Sequence, residues 1–224
     1  MVLSRRSLIA SSAILPILAL PGCASTGGFS LVEAIRRLLS LSAQRAFASL
    51  IQQNGFLDNQ VAKISLPEQF GGQRASSILG ALVNSGIVRD RLTRQVNRAA
   101  EKGAELAAPL VADAVLKIGI PNAAAIISGG GSGATDLLKS AMGDALIRTM
   151  VPGIDNGLKL FDNAIVTEAL RGVTGIDFAG LRDDVTRKAS DGIYRAIANE
   201  EIAIRANPAS TNDPLIMGVF GLAR

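Results

Sequence analysis

The groups in this 224-residue chain that could do chemistry are few, because the sequence holds no His and no Trp, one Tyr and one Cys. Without an imidazole there is no Ser/His/Asp relay, no Cys/His couple and no His-ligated zinc. Acid and base work is left to carboxylates, Lys, Arg, hydroxyls and Tyr194. The candidates are therefore the lone thiol of Cys23, a run of arginines at Arg91, Arg94 and Arg98, and an acid, Glu200, that falls inside an apolar stripe. No metal or cofactor is implied by this set. An enzyme working with carboxylates alone, such as a glycan hydrolase, is the chemistry that stays open. Glu200 and Glu201 point about 100° apart on a helix, so they cannot face each other as an acid/base pair. A facing carboxyl would have to come from another helix, for example Glu101 or Asp113.

Composition sets the frame for these groups: 48% hydrophobic, 19% charged and 23 Gly describe a chain able to bury a core. Seven Phe and one Tyr make up 4% of it. That is too little for the stacking platforms of single-stranded nucleic acid readers, and no nucleic acid partner is expected. Ala and Leu abound while β-branched alternation is scarce, which favours helices.

The N-terminus reads as an export signal. Arg5 and Arg6 form a charged n-region, an apolar stretch follows from Leu8 to Leu20, and small residues precede Cys23. The apolar stretch is shorter than the ~20 residues a spanning helix needs. Leu20-Pro21-Gly22-Cys23 resembles the lipobox of bacterial lipoproteins, in which the signal is cut ahead of the Cys and the thiol is acylated. A buried free Cys behind a plain signal peptide is the alternative. Ala24 in the following position points to the outer membrane by resemblance to enterobacterial sorting rules. Ser4-Arg5-Arg6-Ser7-Leu8 also resembles a twin-arginine export motif, although two arginines are ordinary in an n-region. Removing the first 22 of 224 residues leaves 202, and losing Arg5 and Arg6 from 23 basic groups leaves 21 against 19 acidic, a formal +2. So small a charge does not make a polyanion binder.

The expected organisation is a signal peptide over 1–22, a lipidated Cys and short tether over 23–29, and one all-α domain of about seven helices over 30–224. Apolar spacing predicts a helix from Leu31 to Gln53, closed by Asn54-Gly55 with left-handed chemistry, then an irregular connection from Phe56 to Phe70. A second helix is expected over 73–85. The longest pattern runs from Arg89 to Ile118, with Leu92, Val96, Ala99, Ala100, Gly103, Ala107, Val111 and Val115 on one face and the arginines on the other. Pro109 lies on the polar face, where it kinks that helix or opens a new one. Pro121 starts a short turn to Ile127. Further helices are expected from about Ala134 to Met150, with Pro152, Gly153 and Gly157 breaking the chain behind it, then from Leu158 to Leu170, Leu181 to Ala206, where Asn207-Pro208 stops it, and Asp213 to Phe220.

Gly129-Gly130-Gly131-Ser132-Gly133 fits neither the phosphate-loop nor the dinucleotide spacing, since no Lys follows and Asp136 stands where the third Gly would be. It reads as an interhelical link whose Ser132 or Thr135 helps cap the next helix, although free N–H groups there could hold an anion. Arg94 and Arg98 are like charges one turn apart near the positive end of a helix dipole, and that arrangement calls for an anion. An intramolecular carboxylate such as Glu101, an anionic lipid or another protein would each supply it. Glu200 must likewise pair or neutralise, facing a cavity or Arg98, or forming a structural ion pair. Asp183/Arg187, Asp184/Lys188, Asp191/Arg195 and Glu201/Arg205 are acid-to-base pairs at i,i+4 and are expected to make a solvated face.

Gly55-Phe56-Leu57-Asp58-Asn59, Ile64-Ser65-Leu66-Pro67, Asn97-Arg98-Ala99-Ala100-Glu101 and Ala134-Thr135 carry a family resemblance. So does the run from Ala189-Ser190-Asp191-Gly192 through Glu200-Glu201, Arg205, Asn207-Pro208, Thr211, Asp213 and Val219-Phe220-Gly221. On these residues the chain resembles the bacterial domain of unknown function 4197 family of small helical lipoproteins, over nearly the whole mature chain. It departs from the pattern in the Gly-rich loop and between Val151 and Gly175. The resemblance implies an all-helical lipoprotein and no activity, so it assigns no catalytic residue. Together these observations lead to the expectation of a non-catalytic envelope lipoprotein, anchored in the membrane through Cys23, whose body binds a partner protein or a lipid.

Overall fold

The computed structural model describes residues 30–66, 86–159 and 178–221. The signal peptide, Cys23, the tether, the helix expected over 73–85 and all of the 158–170 helix beyond Lys159 lie outside the described residues. Those residues form seven α-helices and one 3₁₀ turn, with no strand among them, so the domain is all-α. In chain order the helices are α1 Leu31–Leu50, α2 Gly86–Lys117, α3 Ala123–Ser128, α4 Gly133–Met142, α5 Ala145–Leu158, α6 Phe178–Ala206 and α7 Pro214–Gly221, with the 3₁₀ turn Pro208–Thr211 before the last. No helix among the described residues is long and apolar enough to cross a membrane.

α1 is the central strut. Ser30 caps it by accepting the N–H of Glu33 at 3.2 Å. Ala34, Ile35, Leu38, Leu39, Ala46, Phe47 and Leu50 fall at three- and four-residue steps and are all buried. α2 and α6 both pack on it and run antiparallel to it. Ser40 and Val115 share one cleft while Asn97 bonds the chain beyond α1, and Arg37 reaches Asp213 while Arg195 reaches Val61. The chain leaves α1 through Asn54 in the left-handed region at φ 65°, as the sequence predicts.

α2 and α5 make the most extensive helix pairing, and small residues are the reason. Gly153 and Gly157 stand one turn apart on α5, and a Cβ on Gly157 would collide with Ala99 of α2. A Cβ on Gly153 would lie 2.5 Å from the carbonyl of Lys102. These glycines therefore do not break the chain as the sequence pattern suggested; they let two backbones touch inside a continuous helix. Pro152 and Pro109 sit on exposed faces of α5 and α2, and both helices run through them. The break comes earlier, at Gly143 with φ +47°, where the single helix expected from Ala134 to Met150 divides into α4 and α5.

The strongest polar feature of the core is Glu201 on α6, 0% exposed. Its carboxylate accepts the backbone N–H groups of Ala134 at 3.1 Å and Thr135 at 2.8 Å, and the Thr135 hydroxyl at 2.6 Å. Arg205 one turn on donates its Nε–H to it at 3.0 Å, gives its Nη1 and Nη2 hydrogens to the carbonyls of Ile127 and Ile126, and lies 4.9 Å from the Phe220 ring. One ion pair thus joins α3, α4, α6 and α7. The pair expected on a solvated face is buried, and the free N–H groups at the start of α4, which could have held an anion, are taken from within by Glu201. Ser132 makes no capping bond to the backbone. Of the other expected i,i+4 pairs Asp184/Lys188 forms at 2.8 Å, whereas Asp191 pairs with Lys139 across helices and Arg195 donates to the Val61 carbonyl. At the end of the chain, burial alone would push the Asp213 carboxyl up, but bonds from Arg37 and from the Leu215 and Ile216 N–H groups hold it below its ordinary value.

Removing one partner of a buried, hydrogen-bonded pair leaves an uncompensated charge, so Glu201→Ala should cost about 3–5 kcal/mol of stability. Chemical denaturation followed by circular dichroism checks this; a loss under about 1 kcal/mol, the range of an exposed pair, would contradict the role given to the node.

Candidate functional site

Among the described residues a polar groove of about 650 Å³ is bounded by the last turn of α1, the connection behind it and the C-terminal half of α6. Its position follows from how that connection is fixed. Gly55 lies against the carbonyl of Ser49 so closely that a Cβ would collide with it. Phe56 is fully buried behind it, and Asn59 accepts the N–H groups of Val61 and Ala62 at 3.0 Å each. From α2, the buried Asn97 side chain accepts the N–H of Ile64 at 2.8 Å and donates to its carbonyl at 2.9 Å. From α6, Gly192 makes room for Ala62, where a Cβ would come within 3.0 Å of the Ala62 carbonyl oxygen, and Arg195 donates to the Val61 carbonyl at 2.7 Å. The connection is irregular, yet both its polar ends are tied down, which pre-forms the wall of the groove.

Side-chain amides dominate the lining, from Gln52, Gln53 and Asn54 on one wall to Gln60 and Asn199 on the other, with the carboxylates of Asp58 and Glu200 among them. Amides offer a donor and an acceptor each, so the surface suits a polar chain rich in hydrogen-bonding groups. Arg45 stands at the edge, 3.9 Å from Glu200, and donates to the Ser210 carbonyl at 3.1 Å.

The structure rearranges the predicted site residues. Glu200 is not inside the apolar stripe; its side chain is 36% exposed and lines the groove, while the next residue, Glu201, takes the buried position. Ile193, Ile197, Glu201 and Ile204 continue the buried line of α6 at three- and four-residue steps, and one residue of phase separates the two acids by 100°. Arg91, Arg94 and Arg98 are all exposed, and among the described residues none of them forms an ion pair or hydrogen bond. Glu101, offered as an intramolecular partner, is buried and makes no ion pair with the arginines, although Arg98 acts on it electrostatically. Burial pushes its carboxyl up, against the pull of Arg98 and of the Asn54 and Phe56 N–H groups. Arg98 and Glu200 do not share the groove. Cys23 lies outside the described residues. Among the described residues no group of three acids or thiols is gathered so as to hold a metal ion.

The groove amides were not singled out from sequence, and neither was Asp58 as a groove carboxylate. The one signal was density: Gln52-Gln53-Asn54 and Asp58-Asn59-Gln60 crowd polar side chains directly behind an apolar helix. A smaller depression beside α4 and α6 exposes part of Tyr194 and Lys139. The Tyr194 hydroxyl is buried without a hydrogen-bond partner among the described residues, and Lys139 lies 5.5 Å from its ring.

Two measurements test this geometry. Asn97→Ala leaves the Ile64 N–H and carbonyl without their partner, so it should cost about 1–3 kcal/mol and speed amide exchange over 59–66 more than elsewhere. Burial, aided by Asp191, pushes the Tyr194 hydroxyl up to about 12. Its contribution to stability is therefore complete below its ordinary value near 10 and is lost as pH rises toward 12. Since this is the sole tyrosine of a chain without Trp, an ultraviolet pH titration reads it directly, and a midpoint near 10 in the folded protein would refute the buried placement.

A family model described as "Protein of unknown function (DUF4197)" matches residues 26–221. No curated protein and no solved structure matches the chain.

Proposed function

The chain belongs to that family, DUF4197, and we propose that it is a non-catalytic cell-envelope lipoprotein, acylated at Cys23, whose helical body binds a polar segment of a partner protein in the α1/α6 groove. The observation that carries the binding role is the groove itself: a pre-formed concavity lined by amides and two carboxylates is built to exchange hydrogen bonds with a ligand rather than to enclose an apolar one. Support for the anchor is the Leu20-Pro21-Gly22-Cys23 sequence behind an apolar stretch, with Ala24 directing the proposal to the outer membrane and the body facing the periplasm. The tether of 23–29 is long enough to keep the body near the bilayer without restraining its orientation.

One observation favours a second reading, a carboxylate-only envelope hydrolase. Asp58 and Glu200 come from different segments and line the same concave surface, as an acid and its partner would.

A photocrosslinking residue placed at Gln53 should give a discrete protein adduct in cells, and the same residue at Ala141, exposed outside the groove, should not. Glu200→Lys in the Gln53 background should reduce the adduct about fivefold or more. Equal adducts at both positions would reject the groove as the binding site. Cleavage of envelope glycan by the purified protein, abolished by both Asp58→Asn and Glu200→Gln, would replace the binding reading with the hydrolase. The anchor is tested separately by mass spectrometry, where an unmodified thiol at Cys23 would remove it.

A further inference from the structure

The exposed face of α2 carries a pattern that the groove does not use. Arg91, Arg94 and Arg98 are followed, eighteen residues on in each case, by Pro109, Ala112 and Leu116, and all six are exposed. Eighteen residues are five helical turns, so each arginine stands in line with an apolar residue roughly 27 Å further along one face of a helix that is continuous through Pro109. The N-terminal half of the face is cationic, and among the described residues its arginines make no ion pair or hydrogen bond, Arg98 acting only at longer range on the buried Glu101 carboxyl. Its C-terminal half is apolar, with Leu116 70% exposed and Leu106 beside it. The charges on this face cancel locally, Lys102 with Glu105 at 2.7 Å between the halves and Asp113, which stands among the apolar residues, with Lys117 at 2.8 Å. Next to the apolar half, α1 and α2 leave a cleft of about 320 Å³ lined by Ala43, Phe47, Ala108 and Val115.

We infer that this face of α2 lies on an anionic lipid bilayer, with Pro109, Ala112 and Leu116 in the boundary between headgroups and acyl chains and the three arginines on lipid phosphates. Charge complementarity selects an anionic surface, and the exposed leucine selects one with an apolar layer beneath the charges. The proposed anchor is compatible with this: six residues lie between Cys23 and Ser30, so at most about 25 Å of chain joins them, and the apolar half of α2 packs beside the middle of α1, from Ser40 to Phe47. This last point alone rests on the lipoprotein reading. The groove would then face away from the bilayer. Ala43 and Phe47 border the cleft, whereas Arg45 and Ser49, two residues on in each case, point about 200° around α1 toward the groove.

The test uses the full processed chain carrying Cys23→Ser, so that no acyl group contributes, and sedimentation with vesicles of phosphatidylglycerol and phosphatidylethanolamine against vesicles of phosphatidylcholine. Binding to the anionic vesicles should be at least tenfold stronger and should weaken with salt. Arg91→Glu with Arg94→Glu should weaken it by more than about twentyfold, each arginine contributing about fivefold, and Leu116→Ser by about fivefold. All three positions are exposed, so thermal unfolding should be unchanged. Equal binding to both vesicle types, or anionic binding that survives the double charge reversal within twofold, would overturn the inference. So would no binding at low salt, which would assign the face to an acidic protein partner. Because acylation is absent throughout, these outcomes are independent of the mass of native Cys23.

Discussion

A carboxylate sealed from water has to be met by donors, and at Glu201 they come from two places, the first turn of α4 and Arg205 one turn further along α6. Two are the first free N–H groups of α4, one is the Thr135 hydroxyl and the rest belong to Arg205, which spends its remaining hydrogens on the last carbonyls of α3. The helix dipole of α4 favours the negative charge and the guanidinium balances it. Three short helices, α3, α4 and α7, of 6, 10 and 8 residues, are thereby held to the long α6 in one arrangement. The Gly-rich segment between α3 and α4 owes its course to this node: Gly130 and Gly131 take left-handed angles that let the chain return with its N–H groups aimed at Glu201.

The same device recurs at lower intensity. Asn97 clasps the backbone of Ile64 from within the core, Asn59 caps Val61 and Ala62, and Asp213 caps α7 while pairing with Arg37 on α1. Many of the residues that carry the family resemblance are these pins: Asn59, Asn97, Glu101, the Ala134-Thr135 pair, Gly192, Glu201, Arg205 and Asp213. Their work in this chain is architectural, joining irregular segments to helices whose own packing uses Ala and Gly. Glu200, next to the most deeply buried of them, is different in kind, since it faces solvent on the wall of the groove.

Separating the pins from the exposed polar groups leaves, among the described residues, two surfaces to which the packing gives no task. The α1/α6 groove presents neutral amides and two acids, and the outer face of α2 presents arginines followed by apolar residues. They lie on opposite sides of α1, which makes a body with a polar face and a cationic, partly apolar face. In the proposed lipoprotein the acyl anchor would keep such a body at the membrane while its sides take different tasks.

By itself the sequence determined the fold class, because apolar spacing of three and four residues written in Ala and Leu admits little but helices. It placed the end of α6, where Asn207-Pro208 cannot continue a helix, and the left-handed angle of Asn54, although α1 itself stops at Leu50 rather than at Gln53. Tertiary structure decided whatever depended on phase and on partners distant in sequence. A shift of one residue is 100° of helix, so Glu200 and Glu201 exchanged the buried position on packing alone. Gly153 and Gly157 read as breakers until α2 was seen to pass against them, since the same missing Cβ serves a turn or a close approach. The groove arose from amides contributed by three segments, and no local pattern marks side chains that become neighbours only when helices pack.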